Sequence, residues 1–312
     1  VRHPRFSRLP LLLGAATALS GAAAEPGGLA VLYPDLAEPY RTVFAQIIEG
    51  IDERSPNKVD KLPISSPDDA AGLSADLKRR GVNTVIALGR NGLKLANDLG
   101  PQISIIGGCV LMVPEEDAKN EIVLSLAPDP ALLFNRLKAL APAITRVFVV
   151  YDPAQTGWLI ALAQKAGKAK GIEIVGRPAP DLKSALLDYR DILAAIDPSR
   201  DAIWLPQDPT TVEESTVVPL LLQEAWNHQI VLFSSNIAYV RRGALFALYP
   251  DNRKLGHSLA ALAAQSMAGP RRAGLLPLDE VLMAVNVRTA EHLGLSLTRA
   301  EQQGFDLIFP ER

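Results

Sequence analysis

The chain has 312 residues, a formal net charge of −2, 48% hydrophobic residues and 21% charged residues. That balance excludes a disordered chain, and with no basic run interleaved with aromatics it excludes a nucleic-acid-binding surface. The length exceeds one usual domain and accommodates two.

The first 24 residues carry Arg2, Arg5 and Arg8, then the apolar "LPLLLGAATALSG", then Ala22 and Ala24 in small-x-small spacing. This three-part pattern predicts a secretory signal peptide over 1–24 and a periplasmic mature protein. The apolar run is too short for a membrane span, and no later stretch reads as one. No cysteine lies near the expected cleavage point, so no lipid anchor is expected there. Cys109 is the only cysteine; it lies in "SIIGGCVLMVP" and reads as a buried structural thiol.

Beyond the leader, strands and helices alternate. "GLAVLYPD" predicts a strand, and "PYRTVFAQIIEGI" a helix with Tyr40, Val43, Phe44, Ile47 and Ile48 on one face. "VDKLPIS" is a strand, and "PDDAAGLSADLKRRG" a helix with Leu73 and Leu77 inward. "VNTVIALG" is almost wholly apolar, as a strand covered on both faces must be. "RNGLKLANDLG" is a helix; "QISIIGG" and "NEIVLSLAP" are strands.

A second series of the same kind starts near Pro128. The helix "DPALLFNRLKALAP" leads into the strand "ITRVFVVYD", another helix and the strand "IEIVG". "ALLDYRDILAAI" is a helix with Leu186, Tyr189, Ile192 and Ile196 in phase, and "RDAIWLPQDPTT" a strand with a polar end. A Val/Leu-rich helix runs to Trp226; the strands "QIVLFSSN" and "GALFALYPD", the helix "RKLGHSLAALAAQSMAG" and a last strand and short helix in "DEVLMAVNVRTAEHLGL" follow. Trp204 is expected in the core and Trp226 in helix packing.

The fold class is therefore α/β: two Rossmann-like lobes with parallel-sheet cores, joined by hinge strands. The first lobe is expected at 25–128, with a return segment at 252–312, and the second at 129–251. In such sheets ligands gather beyond the strand C-termini. The polar residues at those ends are Asp35, Gly89, Arg90 and Asn91 in the first half. In the second half they are Asp152, Thr156, Asp208, Thr210, Ser235, Asn236 and Asp251. Tyr40 could stack on a ligand. The carboxylates suit an amine and Arg90 a carboxylate, so a polar or zwitterionic small molecule is expected. Each of these residues serves equally as a turn or helix cap.

Motifs for chemistry are missing. There is no Gly-x-Ser-x-Gly, no Walker loop and no dinucleotide fingerprint. His228, His257 and His292 lie far apart in sequence, which disfavours a metal site. Asp208, Glu213 and Glu214 are close enough in sequence to allow an acid–base pair, and a secreted hydrolase is the alternative this leaves open. No cofactor, no catalytic residue and no enzyme activity are expected.

Several stretches, in order, resemble the ABC-transporter substrate-binding family, of the tryptophan/tyrosine-type solute-binding proteins in the type I periplasmic-binding class. They are "TVIALGRNGLKLA", "VFVVYDPAQT", "DAIWLPQDPTTV", "IVLFSSNIAYVRRGALFALYPDNRKLG" and "AVNVRTAEHLGLSL". The resemblance implies a two-lobed protein that closes on a solute and delivers it to an ABC permease, with the ATPase an indirect partner. A monomer is expected. Asp208 and Asn236 match polar cleft positions of the family; Gly89–Asn91 and Asp152–Thr156 match its facing turns. The chain departs from the pattern at "PDLAEPY", at Arg90 and at "GGCVLMVP", so the class of function is implied and not the solute. An envelope solute sensor on the same fold is the other reading.

Overall fold

The structure is a computed structural model describing residues 28–64, 70–111, 118, 121–269 and 273–311. The expected signal peptide lies outside the described residues.

The first sheet is built from β1 (Gly28–Pro34), β2 (Val59–Ile64), β3 (Val82–Leu88), β4 (Ser104–Val110) and β5 (Ile122–Pro128). Helices α1 (Tyr40–Arg54), α2 (Ala70–Arg79) and α3 (Gly89–Asn97) lie between its first four strands. The second sheet follows with α4 (Pro130–Leu140), β6 (Arg146–Tyr151), α5 (Pro153–Lys170), β7 (Glu173–Pro178) and α6 (Leu182–Ala195). It continues through β8 (Asp201–Leu205), α7 (Val217–Asn227), β9 (Val231–Ser234), α8 (Ile237–Arg242) and β10 (Phe246–Pro250). The chain ends with α9 (Asn252–Ala268), β11 (Gly274–Leu278), β12 (Val281–Asn286), α10 (Val287–His292), α11 (Arg299–Gln303) and β13 (Leu307–Phe309).

The sheet orders are β11-β5-β4-β3-β1-β2 and β13-β12-β10-β9-β8-β6-β7. Every pairing in the first sheet is parallel. The second is parallel except where β12 runs antiparallel to β10. Both sheets are covered on both faces, which explains the unbroken apolar runs. Val31, Ile86 and Ile106 pack on one face of the first sheet, Ala30, Val85 and Ala87 on the other. In the second sheet Val147, Val149 and Trp204 face one side and Phe148, Val150 and Ile203 the other. Trp204 is fully buried as expected, stacked on Phe233 with Phe134 at its edge.

The expected return segment is corrected. Residues 252–278 do rejoin the first lobe, where α9 packs on α1 and β11 pairs β5. Residues 281–309 instead join the second sheet, because β12 pairs with β10 from Phe246↔Val285 to Pro250↔Val281 and β13 pairs with β12. The chain therefore crosses between lobes three times: after β5, after β10, and between β11 and β12. The crossings are tied side by side, with Asp129 N–H donating to Leu278 O at 2.8 Å and Asp251 N–H donating to Glu280 O at 3.1 Å. Three adjacent connections of this kind restrict relative movement of the lobes to bending and twisting about one strip.

Helix α1 departs from its expected face. Ile47, Ile48 and Ile51 are buried on the sheet, whereas Tyr40 and Val43 are exposed and Phe44 is half-buried. Its first turns instead border the space between the lobes, with Phe44 still packed at the edge of the first-lobe core. Helices α2 and α6 match expectation: Leu77, Tyr189 and Ile192 are buried, with Leu73, Leu186 and Ile196 packed beside them.

Candidate functional site

A cleft of about 940 Å³ opens between the lobes, with the crossings along it. The first lobe contributes Tyr40, Val43, Phe44 and Ile47 from α1, Cys109 from β4 and Leu126 from β5. The second contributes Gln207, Ser235, Asn236 and Ile237. Tyr249, Asp251, Arg253 and Leu282 line it from the connecting segments and their continuations. A mostly apolar concavity with a few polar groups, of this volume, is what a small-molecule site requires.

The second-lobe wall is held by hydrogen bonds between strand ends. Ser234 Oγ donates to Leu205 O at 2.9 Å and accepts from Asn236 N–H at 3.1 Å, tying β9 to β8. Gln207 Nε2 donates to Ser235 O at 2.7 Å. That bond fixes the amide, leaving Gln207 Oε1 a buried acceptor with no donor among the described residues. Asn236 is the N-cap of α8, its Oδ1 accepting from Ala238 N–H at 2.9 Å. Asp251 caps α9 in the same way, accepting from Lys254 N–H at 3.1 Å, with Lys254 Nζ at 3.4 Å.

On the first-lobe side, α1 and α9 meet in an ion-pair cluster beside the cleft. Arg253 Nε donates to both oxygens of Glu53 at 3.0 Å, Arg253 Nη2 also bonds Glu53, and it reaches Glu49 Oε1 at 3.2 Å. His257 Nε2 lies 2.8 Å from Glu53 Oε2. The Arg253 and His257 hydrogen bonds hold the Glu53 carboxyl down at about 2, and Glu53 in turn raises Arg253. Cys109 is half-buried, not fully buried as expected, and its backbone lies in the left-handed region at φ 58°. Burial pushes its thiol up to about 12, so it is protonated and a poor nucleophile at neutral pH.

Of the residues singled out in the sequence, Tyr40, Ser235, Asn236 and Asp251 line the cleft. Gly89 sits beside it: at φ 74°, a conformation that favours glycine, it starts α3 with Pro34 and Phe44 nearby. Arg90 and Asn91 follow on the exposed side of α3 and are not part of the lining. Asp35 opens instead onto a separate hollow of about 390 Å³, with Arg41 and Lys61, on another side of α1.

Asp152, Thr156, Asp208 and Thr210 form an internal network outside the lining. Asp208 is 1% exposed. Its Oδ2 accepts from Asp152 N–H at 2.7 Å and Thr156 Oγ1 at 2.8 Å. Its Oδ1 accepts from Thr210 N–H at 3.0 Å and Thr211 N–H at 3.2 Å. Thr210 Oγ1 donates back to Asp152 Oδ2 at 3.2 Å. The carboxylate thus organises two loops and has no lone pair directed at a solute. Nor does the Asp208 turn open directly onto a helix N-terminus, since α7 starts only at Val217. Trp226, expected to pack, is 38% exposed and stacked on His292 at 3.8 Å.

The cleft residues that sequence reasoning passed over are mainly Phe44, Cys109, Leu126, Gln207 and Tyr249. Gln207 was within reach, as the uncharged neighbour of Asp208 at the same strand end. Phe44, Cys109 and Leu126 are apolar and indistinguishable in sequence from core, and Tyr249 and the charged lining residues Glu49 and Arg253 carry no local signal that sets them apart. Among the described residues no three His, Cys, Asp or Glu side chains gather to hold a metal. No helix among them is long and apolar enough to cross a membrane.

Comparison with solved structures finds the same two-lobed fold. A ligand-free, open substrate binding protein with adhesive properties from Clostridium difficile aligns with TM-score 0.60 and 14% identity, over 92% of this chain and 100% of that one. An ABC domain in complex with L-Trp from Streptococcus pneumonia aligns with TM-score 0.52 and 15% identity, over 90% and 100%. A conserved domain protein from Vibrio cholerae aligns with TM-score 0.52 and 17% identity, over 91% and 100%. No curated protein matches the sequence. The family described as ABC transporter substrate binding protein matches residues 133–300, more than half of the chain. With its two lobes, hinge strands and type I periplasmic-binding fold, the chain belongs to the ABC transporter substrate binding protein family.

Proposed function

We propose that the protein captures a small molecule in the interlobe cleft by closing its lobes, and presents the closed form to an ABC permease in the periplasm. The observation carrying this reading is the cleft of about 940 Å³, lined from both lobes and bounded by three adjacent crossings. A ligand touching Tyr40 and Phe44 on one side and Gln207 and Asn236 on the other gains contacts only when the lobes approach. It therefore shifts the population toward the closed form. The permease need only distinguish closed from open; the ATPase acts through the permease. No bond is made or broken in this scheme, and binding energy alone drives it. The L-Trp of the streptococcal structure belongs to that protein and does not fix the solute here.

The test combines a thermal-shift screen of small amines, amino acids, sugars and aromatic acids with small-angle scattering. A ligand of the folded state raises the apparent Tm with concentration. The expected result is a hit that also lowers the radius of gyration. A hit with unchanged scattering, and with affinity indifferent to substitutions in the cleft, would sink the closure reading.

A further inference from the structure

We infer that the cleft selects an organic cation, an amine carried on an apolar or aromatic body, and rejects carboxylate ligands. This rests on the reading of the cleft as the solute site and goes beyond it by naming the charge of the guest. The aromatic lining is Tyr40, Phe44 and Tyr249. Its charged residues are Glu49, Asp251 and Arg253, two acids and one base. Arg253 is the only cation among the described lining residues, and it is held by Glu53 and Glu49 together. Turning that guanidinium toward an incoming carboxylate would strip Glu49 of its partner and leave Glu53 with His257 alone. Arg90, assigned to a carboxylate in the sequence reading, is not part of the lining.

The acceptors point the same way. Gln207 Oε1 is buried without a donor, and its amide cannot flip without losing the bond from Nε2 to Ser235 O. A guest that reaches this oxygen as the lobes close gains by offering an N–H donor and is penalised for offering an acceptor. Aromatic rings attract a cation through the ring quadrupole, and with Glu49 paired to Arg253 and Asp251 beside Lys254 at 3.4 Å, the lining itself still holds two carboxylates against one guanidinium. An anion or the carboxylate of a zwitterion would meet the same field with the wrong sign.

The experiment uses three probes with one benzyl-type body: phenethylamine (a cation), L-phenylalanine (a zwitterion) and 3-phenylpropionate (an anion). Binding is measured by calorimetry on the whole protein, at low and at physiological salt. Phenethylamine should bind at least about tenfold more tightly than either other probe, a gap of the size one cation–ring or cation–carboxylate contact supplies. Glu49→Gln and Asp251→Asn should each weaken it several-fold; Asn keeps the α9 cap, so the fold is retained. Val43→Trp, at an exposed position of α1, should block the cleft and abolish binding. If phenylalanine or phenylpropionate binds as well or better and Val43→Trp removes that binding, the cation inference is overturned while the cleft stands. Phenethylamine binding that Val43→Trp leaves untouched overturns the cleft reading itself. Binding by none of the three overturns the cation inference, and the broader screen then judges the cleft.

Discussion

Gly50 of α1 and Gly256 of α9 lie against each other where the two helices cross. A Cβ built on Gly256 would stand 2.2 Å from Ile47 O and 2.9 Å from the Gly50 Cα; one built on Gly50 would stand 2.0 Å from Arg253 O. The obstacles are backbone atoms, which cannot rotate away. Only paired glycines let these helices approach so closely, and this contact sets the position at which α1 borders the cleft. Gly50→Ala or Gly256→Ala should therefore destabilise the protein by about 3 kcal/mol, near the upper end for overpacking, with the Tm falling on the order of 10 °C. Gly157→Ala is the control. It lies within α5 with nothing within 4 Å of the built Cβ, and should be neutral or stabilising by up to about 1 kcal/mol. Thermal denaturation of the three variants checks this; equal effects at all three positions would refute the crossing argument.

Asp208 supplies the second prediction. Asp208→Ala leaves the Asp152, Thr210 and Thr211 N–H groups without their side-chain acceptor, in a site where Asp208 itself is 1% exposed, while the Thr156 hydroxyl keeps Asp152 O at 3.1 Å. Unmet buried donors cost roughly 1–3 kcal/mol each where water cannot reach them. The expected loss is about 3 kcal/mol in total, since Asp152 and Thr210 are only half-buried and regain some water. Asp208→Asn keeps one acceptor oxygen and should lose about half as much. Chemical denaturation reads the stability and calorimetry the affinity. The mark of a loop-organising carboxylate is a stability loss larger than the affinity loss in protein that remains folded. A large affinity loss with unchanged stability would instead restore Asp208 as a ligand contact.

How much of this was legible follows from which forces leave a local trace. Runs such as "VIAL", "VFVV" and "AIWL" announce strands covered on both faces, and they gave both sheets correctly. Strand membership left no such trace for "VLMAVN". The segment is equally apolar in either sheet, and its antiparallel pairing with β10 places it in the second. The pair Arg146–Asp201, with Nε–Oδ1 at 2.8 Å and Nη2–Oδ2 at 2.6 Å, joins β6 to β8 across 55 residues. Two ordinary charged residues at strand starts gave no hint of it. At the site, Asp152, Asn236 and Asp251 all proved to cap the helices they precede. A cap and a ligand contact use the same residue types at the same strand ends, so sequence alone cannot separate them. What separates them is the direction of the remaining polar atoms, a property of the assembled lobes.

The ion-pair cluster beside the cleft gives a pH prediction whose sign can be worked through. Glu53 titrates at about 2 in the folded protein, against an ordinary value of 4.5, because Arg253 and then His257 hydrogen-bond its ionised form. A depressed carboxyl means the unfolded chain binds more protons than the folded one between those two values. Stability then rises with pH through that window. The contribution is complete above about pH 4.5 and is lost as pH falls toward 2. The group is exposed, so salt screens the pair and its share of stability is small. Glu53→Gln should lower the Tm modestly at pH 7 and leave it nearly unchanged at pH 2, so the two Tm curves converge across the window. High salt should shrink the difference at pH 7. Because Arg253 also bonds Glu49, the substitution should leave the guanidinium partnered, and α1 should keep its place beside the cleft. Two Tm curves running parallel down to pH 2 would show that the Glu53–Arg253 bond contributes no more than a neutral amide does.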